Sequence, residues 1–116
     1  MLENNKTAVK WYTKSAEQGY AEAQNSVGVM YDEGFGVPEN DKTAVKWYTK
    51  AAEQGHSRAQ YNLGQKYESG QGGILENYKT AVKWYTKSAE QGNARAQGKL
   101  SIMHVLGLGV LTNNVK

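Results

Sequence analysis

An eight-residue segment, TAVKWYTK, occurs three times in this chain, and its spacing constrains the fold more than any other feature. The copies begin at Thr7, Thr43 and Thr80, and Glu-Gln-Gly follows each copy at the same distance. The intervals are 43 − 7 = 36 residues and 80 − 43 = 37 residues. Self-similarity with a period of about 20–50 residues indicates a stack of equivalent supersecondary units. We therefore expect one repeat domain over residues 1–116, with a partial repeat at 1–19, repeats at 20–55 and 56–92, and a partial repeat at 93–116.

Each TAVKWYTK copy has the pattern of an amphipathic helix. On a helical projection of the middle copy the apolar side chains cover one arc of about 160°, and the lysines lie on the opposite side. Asn40 has a residue type that favours helix N-caps, and Gly55 lies where a left-handed residue ends a helix. The apolar arc consists of Ala44, Val45, Trp47, Tyr48, Ala51 and Ala52. The predicted helices of this type lie near residues 5–18, 41–54 and 78–91.

A second type of segment, beginning with AxAQ, alternates with the first. Ala59, Leu63 and Tyr67 recur at i, i+4 and i+8, which is the spacing of one helix face. Gly28 and Gly64 lie inside these segments, where glycine costs about 1 kcal/mol relative to alanine. We therefore expect the ring or backbone of another helix to approach closely at both glycines. The predicted helices of this type lie near residues 21–33, 57–69 and 94–106.

Together the two patterns predict an all-α protein. Six short helices are expected to form antiparallel pairs that stack into an α/α solenoid, a right-handed superhelix. The alternation of AxAQxxLGxxYxxG with NDKTAVKWYTKAAEQG resembles the Sel-one-like repeat (SLR), a relative of the tetratricopeptide repeat with a slightly longer unit. The resemblance extends over essentially all 116 residues. It implies an adaptor or scaffold that binds peptides or protein surfaces. The matching residues are Ala59, Leu63, Gly64, Tyr67, Gly70, Lys42, Ala44, Trp47, Tyr48, Lys50, Ala51, Ala52 and Gly55.

The sequence contains no recognisable catalytic or metal-binding motif. The absence of cysteine excludes disulfides, cysteine-ligated metals and thiol catalysis. His56 and His104 have no second histidine or acidic cluster at a metal-ligand spacing, and we assign both a structural role. There is no Ser/His/Asp constellation, no Gly-x-Ser-x-Gly motif and no phosphate-binding loop. We expect no enzymatic activity, no cofactor and no metal.

Nine of the fourteen basic residues are lysines at i, i+4 and i+8 on the three TAVKWYTK helices. One interpretation is an anion-binding surface for nucleic acid or an acidic membrane surface. We favour a solvated convex face, because arginine, which binds phosphate in a bidentate manner, occurs only twice in the chain. The three tryptophans are interpreted as core residues rather than as a platform for stacking bases or sugars. The lysines are Lys6, Lys10, Lys14, Lys42, Lys46, Lys50, Lys79, Lys83 and Lys87, and the tryptophans are Trp11, Trp47 and Trp84.

The partner-binding surface is predicted on the concave face, which the AxAQ helices are expected to line. Concave grooves are the usual binding surfaces of superhelical repeat proteins. The predicted function is a non-catalytic scaffold or adaptor that binds a peptide or protein. The alternatives are an electrostatic binder that uses the lysine rows, with nucleic acid the less favoured ligand, and a spacer within a longer array. The predicted contact residues are Glu22, Asn25, Ser26, Val29, Arg58, Tyr61, Asn62, Gln65, Arg95, Lys99 and Ile102.

Both ends of the stack are predicted to expose apolar surface. The first helix should expose the flank that a preceding helix would cover, and the last should expose Leu100, Met103 and Leu106. Self-association through these ends would cover the surface, as would a tail, residues 108–111, that folds back over the last helix. No apolar run of about 18 residues and no signal-peptide pattern occurs. We therefore expect no membrane insertion and assign a cytoplasmic location by default.

Overall fold

The computed structural model describes residues 2–110, which form six helices and no strand. Each helix packs against the next one in the chain, and the molecule extends 58 × 24 × 21 Å, as expected for a solenoid. None of these six helices combines the length and the apolar character needed to cross a bilayer. The all-α prediction is confirmed. The helices are α1 (Leu2–Glu17), α2 (Ala21–Glu33), α3 (Asp41–Glu53), α4 (Ser57–Ser69), α5 (Tyr78–Glu90) and α6 (Ala94–Leu106).

We call α1, α3 and α5 the Trp-Tyr helices and α2, α4 and α6 the Ala-Gln helices. The predicted helix ends agree with the observed ones to within one residue, except at the start of α1. Asn40 is extended, and its side chain accepts a hydrogen bond from the Thr43 N–H at 3.0 Å. Its own N–H donates to the Tyr31 carbonyl of α2 at 2.8 Å, which fixes the cap. Asn4 is the equivalent of Asn40 in the first unit. Within the described residues no Ala-Gln helix precedes α1 to accept a hydrogen bond from Asn4, and α1 begins earlier, at Leu2.

The close approach predicted at the two helix glycines is confirmed. Tyr48 of α3 and Tyr85 of α5 are the largest fully buried side chains. A Cβ atom at Gly28 would lie 2.6 Å from the Tyr48 ring, and one at Gly64 would lie 2.7 Å from the Tyr85 ring. Glycine is therefore the residue that lets each Trp-Tyr helix pack against the Ala-Gln helix that precedes it.

The hydroxyl groups of these two tyrosines are also buried and hydrogen-bonded. Tyr48 Oη donates to Asp32 Oδ2 at 2.9 Å, and Tyr85 Oη donates to Glu68 Oε1 at 2.6 Å. Burial raises the pKa of both hydroxyls well above their ordinary value, and the neighbouring carboxylate raises it further. Both phenols therefore stay protonated in the folded chain at any pH at which a free tyrosine begins to ionise.

We expect the chain to lose stability as the pH rises above about 10. In the unfolded chain Tyr48 and Tyr85 ionise near that pH, whereas in the folded chain they keep their protons. The unfolded state then binds fewer protons, and each tyrosine lowers the free energy of unfolding by about 1.4 kcal/mol per pH unit. Urea denaturation across this pH range, with tyrosinate absorbance recorded in parallel, measures the effect. Tyr85→Phe should show about half the slope of the unsubstituted chain, and a slope of zero for the unsubstituted chain would contradict the prediction.

One lysine is buried where α2, α3 and α4 meet. Lys66 is 5% exposed, and its ammonium donates to Asp32 Oδ1 at 2.6 Å. It also lies 3.3 Å from both Asp41 Oδ1 and Gln71 Oε1. Asp32 therefore accepts from a buried ammonium and from the Tyr48 hydroxyl at the same time. These contacts join consecutive repeats through charge-assisted hydrogen bonds.

The N-terminal end of the solenoid exposes aromatic side chains, as predicted. Trp11 is 59% exposed, and Tyr12 and Tyr20 are exposed beside it. Trp47 and Trp84 are half-buried because each packs against the core of the preceding unit. The interpretation of Trp11 as a core residue is wrong, since no unit covers it in the described chain.

The C-terminal end differs from the prediction at two positions, Met103 and Leu100. Met103 is only 1% exposed and packs with Ala81 and Tyr85, so the expectation that it is exposed is wrong. Met103 lies on the side of α6 that faces α5, and Leu100 is half-buried in the same cluster. Leu106 is exposed as predicted, and Ile102 and Val105 are exposed with it.

The chain after α6 follows the path of the earlier loops. Leu108 packs against the cluster between α5 and α6, and Gly109 lies against the backbone of Tyr78. Gly36 lies in the same way against the backbone of Asn5 in the first unit. The prediction that the tail folds over the last helix is therefore wrong for Leu108 and Gly109, which lead toward α5 and leave Leu106 exposed. Residue 111 of that tail lies outside the described residues.

Candidate partner-binding face

Side chains of neighbouring Ala-Gln helices meet one another and form what we call the Ala-Gln face. Polar contacts join α4 to α2 and α6 to α4, and they fix the distance between successive repeats. These contacts are Asn62 Nδ2 to Asn25 Oδ1 at 3.1 Å, His56 Nε2 to Glu22 Oε1 at 2.8 Å, Lys66 Nζ to Asp32 Oδ1 at 2.6 Å and Lys99 Nζ to Glu68 Oε1 at 3.2 Å.

Ten of the eleven predicted contact residues keep exposed or half-exposed side chains. The exposed ones are Glu22, Arg58, Gln65, Arg95 and Ile102, and the half-buried ones are Ser26, Val29, Tyr61, Asn62 and Lys99. The prediction that Asn25 contacts a partner is wrong. Asn25 is 3% exposed, and its Oδ1 accepts the hydrogen bond from Asn62. Its side chain is used to join α2 to α4 and is not accessible to a partner.

Both arginines of the chain line one cleft between the N-terminal ends of α4 and α6. The cleft has a volume of about 380 Å³. Arg58 and Arg95 are the second residues of their helices. Tyr61 supplies an aromatic wall, and its ring lies 5.7 Å from that of Tyr85 in the core. The rest of the lining consists of Asn62, Asn93 and Ala94.

Neither arginine of this cleft forms a close ion pair within residues 4–110, although the charge of Arg58 acts, after the contact with His56, to lower the pKa of the Glu22 carboxyl. Among the described side chains, residues 4–110, neither arginine lies within 4.0 Å of a carboxylate. Each also stands in the first turn of its helix, where the macrodipole disfavours a cation and favours an anion. Glu22 occupies the corresponding position of α2, and the hydrogen bond from His56 lowers the pKa of its carboxyl. The cleft therefore presents two guanidinium groups to an incoming anion.

A second cleft, of about 500 Å³, lies near the C-terminal end of α4. Its charged groups are already paired, Lys66 with Asp32 and Lys99 with Glu68. The two clefts thus differ in chemistry. The guanidinium groups of the first cleft form no ion pair within 4.0 Å among residues 4–110, whereas the charged groups of the second cleft are paired with one another.

The lysine rows are exposed on the Trp-Tyr helices, as predicted. None of the nine lysines forms an ion pair with a carboxylate of residues 4–110. Several cover a tryptophan ring instead, and such cation–π contacts contribute about 0.5–1 kcal/mol at exposed sites. The ammonium-to-ring distances are 5.4 Å for Lys10 over Trp11, 5.9 Å for both Lys46 and Lys50 over Trp47, and 5.5 Å for Lys83 over Trp84.

The two histidines have different surroundings. His56 Nδ1 accepts a hydrogen bond from the Ala59 N–H at 3.1 Å and caps α4, while its Nε2 contacts Glu22. His104 takes the place of Tyr67 in its repeat, and its side chain is exposed. The equivalent Tyr67 packs between two units, and in the described chain no unit follows α6. Within residues 2–110 no three potential metal ligands lie together.

The burial and pairing of Lys66 were not predicted from the sequence. Lys66 was not separated from the solvated lysines, although the equivalent residues of the other Ala-Gln helices are Met30 and Met103. A lysine at a position otherwise held by methionine indicates a side chain that is buried and paired. That comparison between repeats is the signal that would have identified it.

Helix pairs that stack through glycine–tyrosine contacts and polar bridges define this protein as a helical-repeat solenoid. The model of the Sel1 repeat family matches residues 1–20, 21–56, 57–93 and 94–116. The chain therefore belongs to the Sel1 repeat family, whose members are generally protein–protein interaction scaffolds and typically non-catalytic. A search of curated proteins gives no significant match.

Solved structures with the same fold come from three bacteria. A protective antigen of uropathogenic Escherichia coli strains with an SLR fold has a TM-score of 0.90 and 43% identity, covering 94% of this chain and 23% of that one. A Sel1 repeat protein from Oxalobacter formigenes has a TM-score of 0.86 and 42% identity, covering 91% of this chain and 43% of that one. Helicobacter pylori cysteine rich protein B has a TM-score of 0.72 and 27% identity, covering 78% and 67%. This chain spans less than half the length of the first two proteins.

Proposed function

We propose that this chain is a protein-interaction module whose Ala-Gln face binds an acidic peptide segment in the cleft between Arg58 and Arg95. The observation that carries the proposal is the placement of the only two arginines in one cleft, with no carboxylate of residues 4–110 within 4.0 Å of either guanidinium group. Guanidinium groups bind carboxylates through two parallel hydrogen bonds, which gives both affinity and orientation.

The uncharged groups of the cleft suit a peptide backbone and an apolar side chain. Asn62 uses its Nδ2 to donate to Asn25, which leaves its Oδ1 to accept a hydrogen bond from a peptide N–H. Tyr61 is half-buried and held against Tyr85, so its exposed edge is a pre-organised contact for an apolar group. Rigid aromatic contacts of this kind lose little conformational entropy on binding.

We expect Arg58→Gln and Arg95→Gln each to weaken binding of a glutamate-rich peptide by about 10- to 100-fold, because each removes a charge-assisted hydrogen bond. Fluorescence polarisation with a labelled peptide containing two consecutive glutamates measures the affinity. The same peptide with glutamines in place of the glutamates should bind weakly to the unsubstituted chain.

Lys46→Gln and Lys83→Gln are matched controls, since they remove the same charge from the lysine rows. We expect them to change the affinity by less than about threefold. Equal losses of affinity in the lysine and arginine variants, together with a steep salt dependence, would show that the peptide does not bind specifically in the cleft. That outcome would favour the electrostatic alternative, which is supported by the exposure of all nine lysines.

A further inference from the structure

The two ends of the described chain are complementary halves of one repeat. A complete unit consists of an Ala-Gln helix and the Trp-Tyr helix that follows it, as in α2 with α3 and α4 with α5. Within residues 2–110, α1 lacks the first half of such a unit and α6 lacks the second. We propose that a second copy of this chain supplies the missing half, so that α6 of one copy packs on α1 of the next.

The surface of α1 is the one that an Ala-Gln helix covers in the later units. Its TAVKWYTK segment is identical in sequence to those of α3 and α5. In α3 the residues Ala44 and Tyr48 are buried under α2, whereas the equivalent Ala8 and Tyr12 line an open groove. This groove has a volume of about 510 Å³, and its walls are mostly apolar. It has the form that a helix of the α2 and α4 type fills elsewhere in the molecule.

The free face of α6 has the composition of a contact surface and not of a polar cap. Val105 is 83% exposed, and Ile102 is exposed beside it. Val29, the equivalent of Ile102 in α2, packs against a cluster that residues of α3 and α4 form together. Gly98 has no atom within 4 Å of a Cβ built on it, so no contact within the described chain explains this helix-destabilising residue.

The hydrogen bonds at the rim of the internal interfaces can be repeated between two copies. Gln54 Nε2 donates to the Gly19 carbonyl and to Gln24 Oε1, both at 2.8 Å. Gln91 makes the same two contacts one unit later, at 2.8 and 2.9 Å. Between two copies, Gln18 of one copy would donate in the same way to the Gly92 carbonyl and to the Gln97 side chain of the other. All three residues are exposed.

Two substitutions weaken the centre of this interface. Ser101 replaces Gly28 and Gly64, so its side chain takes space that a tyrosine ring occupies in the internal units. Val105 replaces Asp32 and Glu68, so the hydroxyl of Tyr12 meets no carboxylate.

The association is therefore weak and reversible. Because the two surfaces differ, it extends head to tail and does not close as a dimer.

The decisive variant restores the internal pattern. Ser101→Gly combined with Val105→Glu should tighten self-association by about tenfold or more, measured by sedimentation velocity from micromolar to millimolar concentration. If apolar surfaces associated non-specifically, the double variant should associate more weakly than the unsubstituted chain, because it adds a charge to the apolar patch. In that background Tyr12→Phe should remove part of the gain, since it deletes the donor to the new carboxylate.

A mixing experiment tests the head-to-tail geometry. Trp11→Asp and Ile102→Asp each block one end, so each variant alone should be monomeric while their mixture forms a one-to-one complex. Leu75→Asp is the control, because Leu75 is 89% exposed in a loop away from both ends, and it should associate like the unsubstituted chain. An unsubstituted chain that stays monomeric, weaker association of the double variant, or dimers of either single variant would overturn the proposal.

Discussion

Asp32→Ala should reduce the free energy of unfolding by about 3 kcal/mol or more, because it leaves the buried ammonium of Lys66 without its nearest counter-charge. Lys66 is 5% exposed, and its hydrogen bond to Asp32 is the shortest of its three contacts. The same substitution removes the hydrogen-bond acceptor of the buried Tyr48 hydroxyl. Leaving this donor unsatisfied should lower the free energy of unfolding by about a further 1 kcal/mol. Equilibrium urea denaturation at neutral pH measures the loss.

Lys66→Met provides the matched control, because methionine occupies this position in both other Ala-Gln helices. It removes the buried charge and leaves Asp32 and Asp41, whose side chains are 24% and 34% exposed and can be hydrated. We expect Lys66→Met to cost less than half as much as Asp32→Ala, and Asp32→Ala to cost less in the Lys66→Met background than alone. Equal costs of Asp32→Ala in the two backgrounds would show that the ion pair contributes nothing to stability.

Gly64→Val should destabilise the chain by about 3 kcal/mol, because its side chain would overlap the ring of Tyr85. A Cβ at Gly64 lies 2.7 Å from that ring, and Tyr85 has no free space into which it could move because it is fully buried. Since repeat proteins unfold unit by unit, the loss should concentrate in α4 and α5. Hydrogen exchange should therefore show faster opening of these two helices than of α2 and α3.

Gly98→Val is the control for this prediction, since both glycines lie inside Ala-Gln helices of the same length. No atom lies within 4 Å of a Cβ at Gly98, so only the helix propensity changes there. We expect Gly98→Val to change the free energy of unfolding by less than about 0.5 kcal/mol. Similar losses at the two positions would contradict the close-packing explanation.

The contact between Gly64 and Tyr85 also matters for the proposed function, because it helps to set the position of α4 relative to α6. The cleft exists only if α4 and α6 keep a fixed separation, and Arg58 and Arg95 are 95 − 58 = 37 residues apart in the chain. Tyr85 packs between these helices, with its ring beside that of Tyr61 in the cleft wall. A variant that loosens the Gly64–Tyr85 contact should therefore weaken peptide binding even though it touches no arginine.

The six helices of this protein were predictable from the amino-acid pattern alone. The helix ends follow from the period of the apolar residues and from local residues such as the N-cap Asn40 and the positive-φ Gly55. The contact at Gly64 was also predictable, since a mid-helix glycine in a repeat requires a close neighbour. All of these signals act within one helix or between a helix and the next, so a periodic sequence displays them directly.

The side-chain contacts between repeats depend on how the helices pack and could not be read from the local pattern. Lys66 and Asn25 have polar side chains, and only the packing of α2 against α4 buries them. Trp11 carries the same local sequence as Trp47 and Trp84, but it is exposed because no unit within residues 2–110 covers it. The arginine cleft likewise arises from the stacking of α4 and α6. The physical reason is that burial and pairing across units depend on the distance and rotation between successive repeats, which local periodicity does not specify.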